Sequence, residues 1–228
     1  MTGFGVPVYL LPSPTAIVSA VWTDLWTVAG HTQATLLTVF AGFVLSIVTA
    51  LPLAALLTLS PVARASIYPL LVLSQSIPKV ALAPILVLAL GTNVMPKIII
   101  TFLVAFFPLV IAAAAGLAAT PRELIELGRS LQATRMKELM RIRLPFAIPF
   151  IFSGLKMAIT FSVIGAVVGE FVAADRGLGY LMTSALAFFN TPLGYGAITI
   201  LSLLAIVLFQ TVVVLERILF PWSTRMRT

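Results

Sequence analysis

The stretch Thr120–Pro145, TPRELIELGRSLQATRMKELMRIRLP, decides how the rest of the chain is read. It holds nine charged residues (Arg122, Glu123, Glu126, Arg129, Arg135, Lys137, Glu138, Arg141 and Arg143), in a chain with 14 basic and 7 acidic side chains overall. The sequence on either side is apolar over long runs. A chain that gathers its charge into one internal segment has placed that segment in water. The segment also carries helix signals of its own. Thr120-Pro121-Arg122-Glu123 predicts a helix start, with Thr120 as N-cap, Pro121 at the first helical position and Glu123 closing a capping box. A turn at Gln132-Ala133-Thr134 separates this helix from a second short one, which Thr134 caps and Leu144-Pro145 ends. Leu124, Leu127 and Leu131 share one side of the first helix. Met136, Leu139 and Met140 supply the apolar side of the second.

Composition says what surrounds this segment. With 61% hydrophobic and 9% charged residues and a mean hydropathy of +1.14, the chain is no soluble globular domain, in which about a quarter of residues are charged. Its solvent is lipid. The net charge of +7 comes without a basic stripe interleaved with aromatics, so no nucleic-acid partner is expected. It fits the excess of Lys and Arg in cytoplasmic loops of membrane proteins. Cysteine is absent, which excludes disulfides, thiolate metal sites and cysteine nucleophiles. The single histidine, His31, argues against a histidine-based metal centre.

Read in order, the chain predicts an all-α polytopic membrane protein: an interfacial helix over residues 15–30, three spans within 34–119, the charged loop 120–145, a fourth span over 146–173, an external loop over 174–196 and a fifth span over 197–220. The start MTGFGVPVYLLPSP has no basic residue and so lacks the charged opening of a signal peptide. Trp22 and Trp26, one turn apart, suit the headgroup region. The first span, Ala34–Leu59, is long enough to cross the ~30 Å hydrocarbon core. The second, Ser66–Leu90, is irregular near Ser74-Gln75-Ser76 and kinked at Pro78. The third, Lys97–Ala119, contains Pro108. After Asp175-Arg176-Gly177-Leu178-Gly179-Tyr180, the piece Leu181–Phe189 is too short to cross and reads as re-entrant or interfacial. With five spans and the charged loop inside the cell, ten Lys/Arg lie inside and only Lys97 and Arg176 outside. That bias puts the N-terminus outside and the C-terminus in the cytoplasm. No internal repeat is evident.

From Glu126 the chain resembles the integral-membrane permeases of ATP-binding-cassette importers. Their signature is a cytoplasmic loop reading Glu-Ala-Ala, three residues, Gly, nine residues, Ile, one residue, Leu-Pro. Glu126, Ile142, Leu144 and Pro145 match at the right spacing; Leu127 and Gly128 replace the two alanines. Ala133-Thr134-Arg135 looks like the family's Ala-Ser-Arg. The departure is Gln132, which stands where the family has a turn glycine, so the turn either keeps negative φ or is strained. Leu11-Pro12-Ser13-Pro14, Ile77-Pro78-Lys79, Gly169-Glu170-Phe171 and Asp175–Leu181 look like the nitrate/sulfonate/taurine and pyrimidine-precursor branch, many members of which carry a further span ahead of the Leu-Pro-Ser-Pro piece.

The resemblance implies a type I importer permease fold, a location in the bacterial inner membrane, and assembly of two permease copies, expected as a homodimer, with two cytosolic ATPases and an external substrate-binding protein. It implies no catalytic group, metal or cofactor in this chain, ATP and Mg being handled by the ATPase. The solutes it allows are sulfonates, taurine, nitrate, aromatic carboxylates, pyrimidines or riboflavin. Glu123, Glu126, Leu127, Gly128, Gln132, Ala133, Thr134, Arg135, Ile142, Leu144 and Pro145 become the ATPase-coupling residues. Glu126 is the candidate for a charged contact to the partner. The plainer reading is a solvated amphipathic loop, disfavoured because a capped, broken helix pair is costly to specify for an idle segment.

Intramembrane polar residues are the candidates for the solute path. Glu170 is a gate or cavity residue, or an interfacial carboxylate satisfied by nearby backbone or Arg176. Lys79 could attract an anion; the plainer reading, a snorkelling or structural lysine, is the favoured one. Ser74, Gln75 and Ser76 line the path or serve as polar glue between spans. Lys156 reads as structural, and Glu170 as the one acidic residue within a span. The functional rival is an ion-coupled secondary transporter or channel, which would carry repeated halves or a buried carboxylate relay. A membrane-embedded enzyme would need a cluster of catalytic groups at one depth, which the sequence does not show.

Overall fold

The computed structural model describes residues 12–172 and 174–225. Leu11, Ala173 and Arg227, placed by the sequence in the Leu-Pro-Ser-Pro piece, at the end of the fourth span and in the cytoplasmic tail, lie outside the described residues, as does the N-terminus itself. The described residues form helices joined by short turns, and no strand. Four of the helices are long and apolar enough to cross a membrane, and a bent pair brings the number to five.

Helix α1 (Pro14–Thr23) starts on Ser13, whose hydroxyl accepts a hydrogen bond from the Ala16 N–H at 3.2 Å. The predicted interfacial helix over 15–30 is cut short at Asp24, and residues 25–33 instead open α2 (Leu25–Leu59). Past Asp24 no proline intervenes until Pro52, and an isolated glycine such as Gly30 costs a helix only about 1 kcal/mol. At ~1.5 Å per residue α2 is about 52 Å long, well beyond the ~30 Å core. Trp22 and Trp26 are 76% and 88% exposed beside this overhang.

The second span is broken rather than kinked. α3 begins at Pro61, earlier than predicted, on a Ser60 cap. It runs to Ser74; a 3-10 turn over Lys79–Leu82 and α4 (Ala83–Leu90) follow at 82° to it. The break has a local cause. Gln75, Ser76 and Ile77 each bond back three residues rather than four, and Pro78 then has no N–H to offer. α5 (Val94–Ala118) is capped by Asn93, whose side chain accepts from Met95 N–H at 2.8 Å.

The charged segment forms α6 (Arg122–Ser130) and α7 (Arg135–Glu138). A π-helical turn, Leu139–Arg143, then runs without interruption into α8 (Leu144–Val172). Leu144-Pro145 therefore does not end the second short helix. Pro145 would orphan the Arg141 carbonyl in a regular α-helix, and the wider π turn just before it accommodates the ring. α9 (Leu178–Ala187) follows. α10 (Thr191–Leu219) starts six residues earlier than predicted, with the Asn190 side chain accepting from Leu193 N–H. A last turn, α11, covers Pro221–Arg225.

α5 and α8 form the centre, and small residues set how closely they pack. A Cβ on Gly165 would lie 2.7 Å from Thr101 Cα, and one on Gly154 would lie 2.8 Å from Ala112 Cβ. Such spacing lets backbones approach and van der Waals contact replace the hydrophobic drive that lipid removes. α2 packs on α5 in the same way at Gly42 and Thr101, where Ser46 Oγ also donates to the Phe102 carbonyl at 3.2 Å.

Candidate functional site

The charged loop is a built object. α6 does not start as predicted: Thr120 is 5% exposed and its hydroxyl turns back toward the Leu117 carbonyl at 3.4 Å, while Pro121 occupies the cap position. The Thr120 oxygen is thus used by the last turn of α5. Glu123 remains in the first turn of α6, where a carboxylate favours the helix dipole. At the other end Ala133 N–H bonds Gly128 O (3.0 Å) and Gln132 N–H bonds Arg129 O (2.9 Å), with Gln132 at φ +56°. That is a Schellman motif with glutamine in the left-handed position, so the strained alternative for this turn is the one adopted. Thr134 then caps α7 by accepting from Lys137 N–H at 3.4 Å.

One carboxylate ties the loop to the bundle. Glu138 Oε1 accepts from Arg143 Nε at 2.8 Å and lies 2.7 Å from Nη2; Oε2 lies 3.5 Å from Arg129 Nε. Arg143 Nη1 also donates to the Leu117 carbonyl ending α5 (3.2 Å), and Arg135 reaches the Leu59 carbonyl ending α2 (3.4 Å). The sequence alone gave no role to Glu138. Residues five apart do not face each other on an α-helix; the π turn brings 138 and 143 together. Ile142 Cδ1 would lie 2.5 Å from a Cβ on Gly128, so the residue that replaces the family's second alanine admits the Ile142 side chain.

Beside its exposed charges, this anchored frame presents an apolar face to solvent. Leu124, Leu127 and Leu131 are 41%, 57% and 76% exposed, and Met136 and Met140 are also exposed. Leu139, expected on the same face, is instead buried in the bundle core. Glu126 is exposed and has no ion pair or hydrogen bond within the described residues.

At the opposite end Glu170, 2% exposed, is bound up with backbone. Its Oε1 accepts from Thr35 Oγ1 (2.8 Å) and its Oε2 from Gly179 N–H (2.7 Å). Thr35 Oγ1 in turn accepts from Leu178 N–H (2.8 Å), and His31 Nδ1 from Gly177 N–H (3.0 Å). Gly177 sits at φ +126°, and a Cβ there would overlap the Glu170 carboxylate. The loop glycines thus bring three consecutive N–H groups onto α2 and α8. Lys97, read as the first residue of the third span and counted on its outer side, is 5% exposed within α5 and is the cationic neighbour of Glu170.

The remaining candidates sit at the bend of the second span. Ser74 Oγ bonds the Leu71 carbonyl at 2.7 Å, Gln75 closes α3, Ser76 is exposed, and Lys79 Nζ lies 4.6 Å over the Phe107 ring. They are near one another in the chain and separate from the Glu170 cluster, which engages α2 and α9. Glu170 is not the only acid within a span. Glu216, 2% exposed in α10, pairs with Lys156 of α8 and accepts from Ser223 Oγ at 2.6 Å. Its place beside Arg217, near the end of an apolar run, made it look like tail.

Comparison with known proteins agrees with this architecture. The chain is 40% identical over 219 residues to a formylaminopyrimidine transport permease of Halalkalibacterium halodurans, covering 95% of this chain and 87% of the relative. It is 36% identical over 224 residues to a riboflavin transport system permease of Chloroflexus aurantiacus, covering 96% and 82%. An inward-facing form of the MetNI methionine ABC transporter shares the fold, with a TM-score of 0.75 over 86% of this chain and 97% of that one, at 20% identity. The profile of the family described as "Binding-protein-dependent transport system inner membrane component" matches residues 42–225, and the chain belongs to that family, the permease subunits of ATP-binding-cassette importers.

Proposed function

We propose that the chain works as one of two identical permeases around a central path, driven by two cytosolic ATPases docked on α6 and α7 and fed by an external binding protein. The solute is small and polar or anionic, in the range spanned by the relatives: formylaminopyrimidine, riboflavin, taurine and aliphatic sulfonates. The charged loop and C-terminus lie in the cytoplasm, the N-terminus and the 174–190 loop outside, as the distribution of Lys and Arg favours.

The observation that carries this reading is the pairing of an exposed leucine face and an uncommitted Glu126 with a rigid anchor. A short amphipathic helix seats in a groove through such a face. Because Glu138, Arg143 and Arg135 tie the loop to the ends of α2, α5 and α8, a push on α6 moves spans and not only a tether. ATP binding in the partner then biases the bundle between inward-open and outward-open states, and this chain needs no catalytic group of its own. Outside, the Glu170–Thr35–His31 clamp fixes the 175–180 loop as a unit that can meet the binding protein. At the bend, Ser74, Gln75, Ser76 and Lys79 border the path.

Glu126→Ala tests the coupling. In liposomes holding the full importer, uptake and solute-stimulated ATP hydrolysis are expected to fall at least about tenfold, the effect of losing ~1.4 kcal/mol at the contact. Uptake at the parental rate would remove the loop from the drive train.

A further inference from the structure

The leucine face of α6 is one wall of a groove of about 440 Å³, a size at which small ligands and side-chain clusters are held. Its floor is Ile142 and Phe146 from the π turn and α8. Trp222, 44% exposed, from the last described turn, also lines it. Nothing in the family signature at 126–145 includes this residue.

Trp222 is held there by a costly device. α10 is followed by its cap residue Phe220, whose ring lies 5.6 Å from Phe152 of α8 and makes an edge contact with Trp222 at 5.3 Å. Ser223, fully buried, donates to Glu216, and the same carboxylate takes Lys156. Three elements, α8, α10 and α11, thus meet at one buried carboxylate. Buried ion pairs are often no more stabilising than apolar packing of the same volume, and they fix geometry better than they add stability. A span that had only to stop at the membrane surface would not need its final turn fastened to a neighbour. Arg141, which also lines the groove, is exposed and makes no ion pair within the described residues, whereas Arg129 and Arg143 are both engaged by Glu138.

We propose that α11 is a second wall of the socket for the ATPase, with Trp222 as its anchor and Lys156–Glu216–Ser223 as the positioning latch. The occupant is an apolar side chain of that partner, flanked by a carboxylate that Arg141 pairs with. The groove is continuous with the exposed leucine face that the coupling reading assigns to the same partner, and its lining includes the cationic Arg141. The inference rests on that reading.

The chain has no cysteine, so Trp222→Cys or Arg141→Cys would carry the only thiol of this subunit. With the assembled importer in liposomes, a short thiol-to-amine cross-linker is expected to join each variant to the ATPase. Trp222→Ala should weaken ATPase retention at least tenfold and Trp222→Phe should restore most of it. Ser223→Ala, which leaves the ion pair in place, should cut cross-linking at Trp222→Cys without lowering the yield of assembled bundle. Ser223→Ala, read by ATPase retention, keeps the question answerable if the Trp222 variants do not fold. Cross-links only to lipid or to a second copy of this chain, or full retention with Trp222→Ala, overturn the proposal. Leu127→Asp separates the two failures: loss with Leu127→Asp but not with Trp222→Ala sinks only the second wall, and no loss with either sinks the coupling reading.

Discussion

Gln132 shows what a single side chain does at this site. In the left-handed region a non-glycine residue costs roughly 1–2 kcal/mol, and glycine relieves it at some gain in unfolded-state entropy. Gln132→Gly is therefore expected to raise stability by about 1 kcal/mol and to leave coupling intact, read as a higher melting midpoint with unchanged uptake. Loss of assembly would mean that the Gln132 amide touches the partner. Lys79 is decided by magnitude as well. A half-buried cation–π contact is worth about 1 kcal/mol, so Lys79→Met is expected to lower the melting midpoint only modestly. A large fall in uptake of an anionic solute would then place the ammonium on the path, and unchanged kinetics would leave it as a partner of Phe107. The unusual turn was legible in the sequence, because one residue stood in a glycine's place. The Glu170 clamp was not: Glu170 was visible, but its partners Thr35 and Gly179 lie 135 residues and nine residues from it, and hydroxyls and backbone amides leave no mark in composition.

At the scale of elements, the π turn does the joining. It lets a helix pass Pro145, and it aligns Glu138 with Arg143. Glu138→Ala leaves the half-buried Arg143 guanidinium without its carboxylate, at a cost on the order of 2 kcal/mol. We expect the bundle to fold while α6 loosens: ATP hydrolysis persists but no longer responds to loaded binding protein. The spans were legible from length and hydropathy, since a run of ~20 apolar residues has few alternatives in lipid. Their ends were not. α2 and α10 both start several residues ahead of their apolar cores, because helix propagation is cheap until a proline or an uncapped turn stops it. The break at Ser74–Pro78 was visible as a kink, but its size, 82°, depends on three successive tight turns that no single residue announces.

Over the whole molecule, the close packing of α2, α5 and α8 sets how the permease can move. Gly165→Val would drive a side chain into the Thr101 backbone, and overpacking of this kind costs about 1–3 kcal/mol. The expected outcome is a lower melting midpoint of the purified subunit together with reduced uptake, whereas Gly30→Ala, with open space around it, should change neither. The Lys156–Glu216 pair carries a further consequence for how the chain is made. The two partners are 60 residues apart, so at ~5–20 residues per second the ribosome delivers the lysine roughly 3–12 s before its acid. During that interval α8 holds a lone ammonium near its middle, which costs ~3 kcal/mol in lipid. A nascent chain in that condition is expected to linger at the insertion machinery until the final span arrives to release it.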